Sequence, residues 1–354
     1  MRKHFQGLQR QGFATDTGRT YQWVASEQRP LPMGSQRLGG TNVEKCKVFA
    51  GRPVQELAAE VCSRLGTAPG QAEIFTFSND NTFVRILETV RECDVFVLQT
   101  STPPVDQNLM ETLILIDALR RASAQRITAV LPYYPYVRSD KKDQPRVPIT
   151  ARLVADLLTT AGADRVVTMD LTAAQIQGFF RIPVDHLTAL PLLCDYFVAK
   201  GLARPVVVAP DAGSAKWAAR YAERLHAPLV LLDKRRLGNS GEVRIAGVVG
   251  DVGGGEAIIF DDEIDRGGSV TEAARVLIGH GARAVYAGCT HGVLSGPAVE
   301  RIAASPLSEV VVTNTVPIPA AKRIPQLTVL SVADLLAQAI RGIHMGESIS
   351  PLFR

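Results

Sequence analysis

The chain predicts an α/β fold of two halves, each a mainly parallel sheet covered on both faces by helices. Near-continuous apolar runs, such as Asp94–Gln99 and Ile127–Leu131, alternate with stretches whose apolar residues recur at helical spacing. Strands of that kind are buried on both faces, and helices between them make the pairing parallel. The pattern restarts after a helix near Leu190, and strands end in acids on both sides of that break, at Asp170, Asp211 and Asp261. Two such halves fit better than one large sheet.

In order, Lys47–Ala50 is a first strand, and Val54, Leu57, Val61 and Leu65 line one face of a helix. Asp94–Gln99 is a strand, Asn108–Ala122 a helix and Ile127–Leu131 a strand. Ile149–Ala161 is a helix closed by Gly162, and Arg165–Asp170 is a strand. A helix over Leu190–Ala199 leads to the second half. There Pro205–Asp211, Leu229–Asp233, Ala257–Phe260 and Ala284–Cys289 are strands, with helices over Ser214–Leu225 and from Val270 through Leu277. The organisation expected is a leader over 1–45, an N-terminal domain over 46–190, a C-terminal domain over 191–340 and a tail over 341–354.

At 354 residues, 46% apolar and 21% charged, the chain has the make-up of a globular protein with room for two domains. No apolar run approaches the roughly 20 residues that span a bilayer, so no membrane partner is expected. Five scattered cysteines without a Cys-x-x-Cys pair point to reduced thiols in a cytoplasmic setting, not to zinc or disulfides. The net charge of +4 sits in the leader, which holds seven basic groups and three acids; the rest carries 32 of each. A neutral body offers no broad surface for nucleic acid. The leader is polar, rich in Gln, Gly and Arg, and lacks the apolar core of a secretory signal. A disordered or loosely docked extension is expected, with an organellar transit peptide as the lesser reading.

The most informative stretch is Ala257–Ser269. A short apolar strand ends in Asp261 and Asp262, a turn follows through Asp265, Arg266, Gly267 and Gly268, and a helix opens near Ser269. A helix entered through Gly and Ser offers free backbone N–H groups to an anion. The preceding acids would repel that anion, so they suit sugar hydroxyls or a metal ion bridging sugar and phosphate. A phosphorylated ribose has both features. The plain alternative is an ordinary turn, where acids and glycines are common.

Two basic stretches accompany it. Pro132–Arg146 sets cations, among them Arg138 and Arg146, between tyrosines and prolines, either as a stiff phosphate-holding loop or as a solvated one. Leu232–Gly241 places Lys234, Arg235 and Arg236 beside Gly, Asn and Ser, which reads equally as a mobile lid over a transferring phosphoryl group or as a surface turn.

With the segments Asp106–Glu111, Pro132–Pro148, Gln175–Phe180, Pro210–Gly213, Asp261–Ser269 and Thr290–Pro297 in that order, residues 46–354 resemble the ribose-phosphate pyrophosphokinase family. The resemblance implies two tandem phosphoribosyltransferase-like (type I) domains. It implies transfer of the β,γ-diphosphoryl group of ATP to ribose 5-phosphate, giving phosphoribosyl pyrophosphate and AMP, with magnesium (Mg2+) as cofactor. On that footing Asp261, Asp262, Asp265, Arg266, Gly267, Gly268 and Ser269 bind ribose 5-phosphate, and Lys234 and Arg236 are catalytic. Phe77, Asn79, Asn81, Arg138, Ser139 and Asp143 lie along the ATP site, and Asp211 and, more weakly, Thr172 hold the metal. Arg91, Ser348 and Ser350 match segments used for regulation, and a homo-hexamer is expected.

The chain also departs from the family pattern. Thr172 stands where histidine is usual, Asn79 and Asn81 replace carboxylates, Ser139 replaces glutamine, and Arg266 replaces a small hydroxyl residue. An amide both donates and accepts, which would relax nucleotide preference. Three readings therefore stand: an active synthetase, a weakly active or regulatory homologue, and another phosphoribosyl enzyme.

Overall fold

The computed structural model describes residues 45–237 and 242–353, without the side chains of 235–237 and 242–244. All but Lys45 of the expected leader is thus outside the described residues. The described residues belong to one compact unit, Gly40–Arg354.

The first half runs β1 (Cys46–Ala50), α1 (Gln55–Leu65), β2 (Ala72–Thr76), β3 (Thr82–Ile86), β4 (Asp94–Leu98), α2 (Val105–Arg121), β5 (Arg126–Leu131), α3 (Thr150–Ala161), β6 (Arg165–Met169) and β7 (Val184–Leu187). Five of these strands form one sheet in the order β1-β4-β5-β6-β7. Every pair in it is parallel. All five residues of β4 are buried, as an apolar run with helices on both faces requires. Strands β2 and β3 form a separate hairpin that packs against α2. The helix α3 ends at Gly162, whose φ of 114° is a conformation glycine adopts without a Cβ clash.

The second half comprises α4 (Leu190–Lys200), β8 (Pro205–Ala209), α5 (Ala215–Arg224), β9 (Leu229–Leu237), β10 (Glu242–Val249), β11 (Glu256–Ile264), α6 (Gly268–Gly279), β12 (Ala284–Gly292), α7 (Ala298–Ala303), β13 (Leu307–Thr313), β14 (Leu327–Leu330) and α8 (Ala333–Met345). Its seven-stranded sheet has the order β10-β9-β8-β11-β12-β13-β14. Only the edge pair β9–β10 is antiparallel. Parallel strands place their carboxyl ends on one edge, where ligands of open α/β sheets bind.

Two strands are longer than the sequence suggests. Strand β11 continues through Asp261, Asp262 and Glu263 to Ile264, held by parallel pairing with β12. Strand β9 continues through Asp233–Leu237 against β10, so most of the stretch read as a basic loop is strand. A charge run disguises a strand at a sheet edge, because an antiparallel edge pair tolerates polar side chains. The hinge expected at 238–241 lies outside the described residues.

The last helix returns to the first half. Residue 340 lies inside α8, which packs on α1. Arg126 donates to the carbonyl of Ile343 at 2.9 Å and pairs with Asp94, and His344 Nδ1 lies 2.9 Å from Asp94 Oδ2. Asp94 is buried at the start of β4, so it ties the α8 terminus to the first sheet. Asp94→Ala should lower unfolding free energy by about 3 kcal/mol, because it strands Arg126 without its partner. A shifted urea midpoint reads the loss, and an unchanged one would refute the tie.

Candidate functional site

The strand alternation of β11 decides which acids face which way. Asp261 and Glu263 sit opposite Cys289 and His291 of β12 and share one face, while Asp262 and Ile264 share the other. The turn Asp265–Gly267 then feeds α6. Gly267 has φ 72°, and a Cβ there would lie 3.2 Å from the carbonyl oxygen of Ala298. The turn therefore demands glycine. Helix α6 starts with no side-chain cap, which leaves its first N–H groups available to an anion. Gly268 and Ser269 are its first residues. Arg266 is exposed, and its carbonyl accepts a hydrogen bond from Arg301 at 3.1 Å.

The acids are in unequal states. Burial and the neighbouring Asp262 push the Asp261 carboxyl well above the usual range, with Lys234 acting the other way. The Asp262 N–H donates to Asp261 Oδ1 at 3.0 Å. Asp262 Oδ2 is buried without a hydrogen-bond partner among the described residues. An orphaned carboxylate oxygen is costly and marks a place where a ligand belongs. Asp265, by contrast, is engaged on both oxygens, by Ser295 Oγ and by Arg138 at 2.8 Å.

Lys234 approaches from β9, its Nζ 3.8 Å from Asp211 Oδ2. Asp211 follows β8 and accepts from the Ser214 N–H at 3.0 Å. The side chain of Arg236, the second expected catalytic cation, lies outside the described residues. No group of three or more His, Cys, Asp or Glu side chains among the described residues is arranged to hold a metal. Mg2+ is usually held by one or two carboxylates plus water and substrate oxygens, so the Asp261–Asp262 pair with its open oxygen fits it.

The two halves meet at this edge. Tyr133, after β5, donates its hydroxyl to Glu263 at 2.8 Å and lays its ring over His291, with centroids 4.6 Å apart. His291 Nε2 faces the Met169 carbonyl at 3.1 Å and Nδ1 faces Thr315 Oγ1 at 2.9 Å. Burial holds this imidazole below its ordinary pKa, hence neutral. That assigns the Nε2 proton to Met169 and leaves Nδ1 to accept from Thr315. Thr290 donates to Asp170 at 2.7 Å, and Thr100 donates to the Thr315 carbonyl at 2.6 Å. Asp170 has φ 38°, an uncommon backbone for a non-glycine residue, and sits at this joint.

The remaining expected residues are more dispersed. Arg138 reaches the acids directly, pairing with Glu263 as well as Asp265. Ser139 faces away from them: its Oγ lies 3.3 Å from Thr150 Oγ1 and its carbonyl accepts from Ala151, so it braces the start of α3. Asp143 is exposed on the same loop. Phe77, Asn79 and Asn81 form the turn of the β2–β3 hairpin, with Phe77 edge-on to Phe75 and Phe83. Among the described residues, the side-chain hydrogen bonds of this hairpin run within it or from Arg52 and Gln107 to Thr76, not to β11. Thr172 is exposed in the loop after β6. Arg91 is exposed before β4, and Ser348 and Ser350 bond to each other at 3.1 Å after α8. Sequence reasoning missed Tyr133, Glu263, Asp170, His291 and Ser295 as site residues. Four of them lie inside segments quoted for the resemblance and Asp170 stood out as a strand-end acid, but none had been assigned to the site.

The raised Asp261 pKa has a signed consequence. A carboxyl that keeps its proton longer when folded contributes stability that is full below the ordinary value of about 3.9 and is lost as pH rises through the raised one. As pH rises above 4, wild type therefore loses stability that an uncharged amide at this position would keep. Asp261→Asn should be more stable than wild type at pH 7, with the gain shrinking toward pH 4. Equal urea midpoints at both pH values would contradict this.

Residues 46–162 match the N-terminal domain of ribose phosphate pyrophosphokinase, and residues 240–354 match the phosphoribosyl synthetase-associated domain. The ribose-phosphate pyrophosphokinase of Caldanaerobacter subterraneus subsp. tengcongensis is 52% identical over 308 residues, 87% of this chain and 97% of that protein. That of Clostridium perfringens is 52% identical over 311 residues, with the same coverage of 87% and 97%. The crystal structure of phosphoribosylpyrophosphate synthetase from Mycobacterium smegmatis aligns with a TM-score of 0.81 at 50% identity, covering 85% of this chain and 99% of that one. The chain belongs to the ribose-phosphate pyrophosphokinase family.

Proposed function

We propose that the chain transfers the β,γ-diphosphoryl group of ATP to the 1-hydroxyl of ribose 5-phosphate, releasing phosphoribosyl pyrophosphate and AMP. One juxtaposition carries this: the unpartnered Asp262 oxygen beside Asp261 lies on the strand that leads into the uncapped start of α6. The 5-phosphate takes the N–H groups of Gly268 and Ser269, and the sugar hydroxyls take the two acids. Asp265 stiffens the turn, since both its oxygens are already held. Fixing the sugar this way points its 1-hydroxyl at the nucleotide and removes the entropy of encounter.

Lys234, held between Asp211 and Asp261, supplies positive charge where the transferring group develops negative charge. Arg236, on the same strand, is proposed for the same task. On the nucleotide side Arg138 offers a phosphate fork, while the Phe77, Asn79 and Asn81 turn and Asp143 are assigned to ATP. Mg2+, held by the Asp261–Asp262 pair with Asp211 nearby, would neutralise the diphosphate charge. Thr172 is a hydroxyl and so a weaker metal ligand than histidine. Amides at 79 and 81 relax the choice of base.

AMP should form from ATP only when ribose 5-phosphate and magnesium are both present. No AMP with any nucleoside triphosphate would remove the proposal in favour of a non-catalytic partner subunit. Lys234→Ala should lower turnover by about 10²–10³-fold, as for loss of one transition-state charge contact. Thr172→His should raise apparent magnesium–ATP affinity; no change would mean position 172 does not face the metal.

A further inference from the structure

We infer that Glu263 is a positioning residue, which holds Arg138 across the junction of the two halves with its free N–H edge turned toward the nucleotide. The inference rests on the proposed reaction, because it assigns Arg138 to ATP. Glu263 lies between Asp262 and Ile264 at the end of β11, where a side chain of any polarity would fit the strand. Its carboxylate is nevertheless enclosed, 6% exposed, against 55% for the arginine it meets. Burying a charge is unfavourable unless it is paired and hydrogen-bonded. Here it is both: Tyr133 donates to Oε2, and Arg138 pairs with Oε1.

The geometry of the guanidinium gives the arrangement its direction. Five N–H donors leave a guanidinium in a fixed plane. Nε and Nη2 of Arg138 face Glu263, and Nη1 donates to Asp265 at 2.8 Å. Two carboxylates from the sugar-side strand and turn therefore fix the plane on its inner edge. Two of the five N–H bonds are then left over on a side chain that is more than half exposed, and these are assigned to the nucleotide. Tyr133 in turn is fixed by its ring contact with His291. A long, flexible side chain on a loop of one half is thus oriented by the other half before any ligand arrives. Such pre-ordering spares the rotamer entropy that phosphate binding would otherwise cost.

Full-length wild type and Glu263→Gln are compared for initial rates with ATP and ribose 5-phosphate, equilibrium ATP binding, and thermal midpoint. KM and Kd for ATP should rise about tenfold, as for a lost charge-assisted contact, with kcat within about threefold. The KM for ribose 5-phosphate should stay near wild type. A cycle with Arg138→Lys should be non-additive, because either change breaks the same pair. Tyr133→Phe should raise the ATP KM by a smaller factor and serves alone if the glutamine variant does not fold. Unchanged ATP affinity with a lowered thermal midpoint means a merely structural role and overturns the inference. Tighter ATP binding means Glu263 competes with phosphate and overturns it as well. If wild type makes no AMP, the proposed reaction falls, while the ATP-binding comparison still decides the role of Glu263.

Discussion

Four carboxylates, Asp261, Asp262, Glu263 and Asp265, crowd into five residues at one strand end, and they repel one another. Everything around the site answers that repulsion. Parallel pairing with β12 holds the strand straight to Ile264, so the acids cannot relax into a wider loop. Asp261 and Asp262 stay in contact, so that the neighbour helps push the Asp261 carboxyl up. The remaining charge is met by two cations. Lys234 comes from the adjoining strand system, and Arg138 comes from the other half. The second matters more for architecture, since it makes charge balance depend on both halves being in place.

Beside a shared apolar core that joins Phe96 and Val167 of one half to Phe260 and Leu336 of the other, the halves also meet through a polar network. Tyr133, Met169, Asp170 and Thr100 from one side meet Glu263, His291, Thr290 and Thr315 from the other. Each is buried or nearly so, and each buried polar group finds a partner. Partial satisfaction would be worse than an apolar contact, so such a network holds one relative position of the strand ends. At the far side, α8 repeats the principle through Asp94, Arg126 and His344. The chain thus crosses back and fastens its last helix to its first sheet.

Much of this was readable in the residues. Apolar runs of strand length separated by helical periodicity marked the parallel sheets, and the acid–glycine turn after β11 was legible as the entry to α6. What escaped has physical reasons. The hairpin β2–β3 buries none of its strand residues fully, four in each strand being half-buried and one exposed, so it lacks the long apolar runs that betray buried strands. The charge run in β9 imitates a loop, because local composition cannot reveal an antiparallel edge partner. Glu263 looked like one more acid of the turn. Its burial depends on Tyr133 and Arg138, 130 and 125 residues away, and no short-range pattern encodes that.

The same contrast explains where this chain tolerates unusual residues. The residues proposed for the sugar phosphate rest on β11, α6 and β9, whose backbone is fixed by ladder and helix bonds. Those proposed for the nucleotide rest on a hairpin turn and two loops. Asn79 and Asn81 lie at that turn, and Ser139 and Thr172 lie in the loops after β5 and β6. A changed side chain there disturbs few neighbours, since connecting segments carry function on a scaffold they do not themselves hold up. Ser139 shows the limit: its hydroxyl and carbonyl brace α3, so substitution at that point reaches the fold as well as the ligand. Arg138, on the loop after β5, differs from these: paired with Glu263 and Asp265, it carries any change on that loop directly to the end of β11 and the turn beyond it.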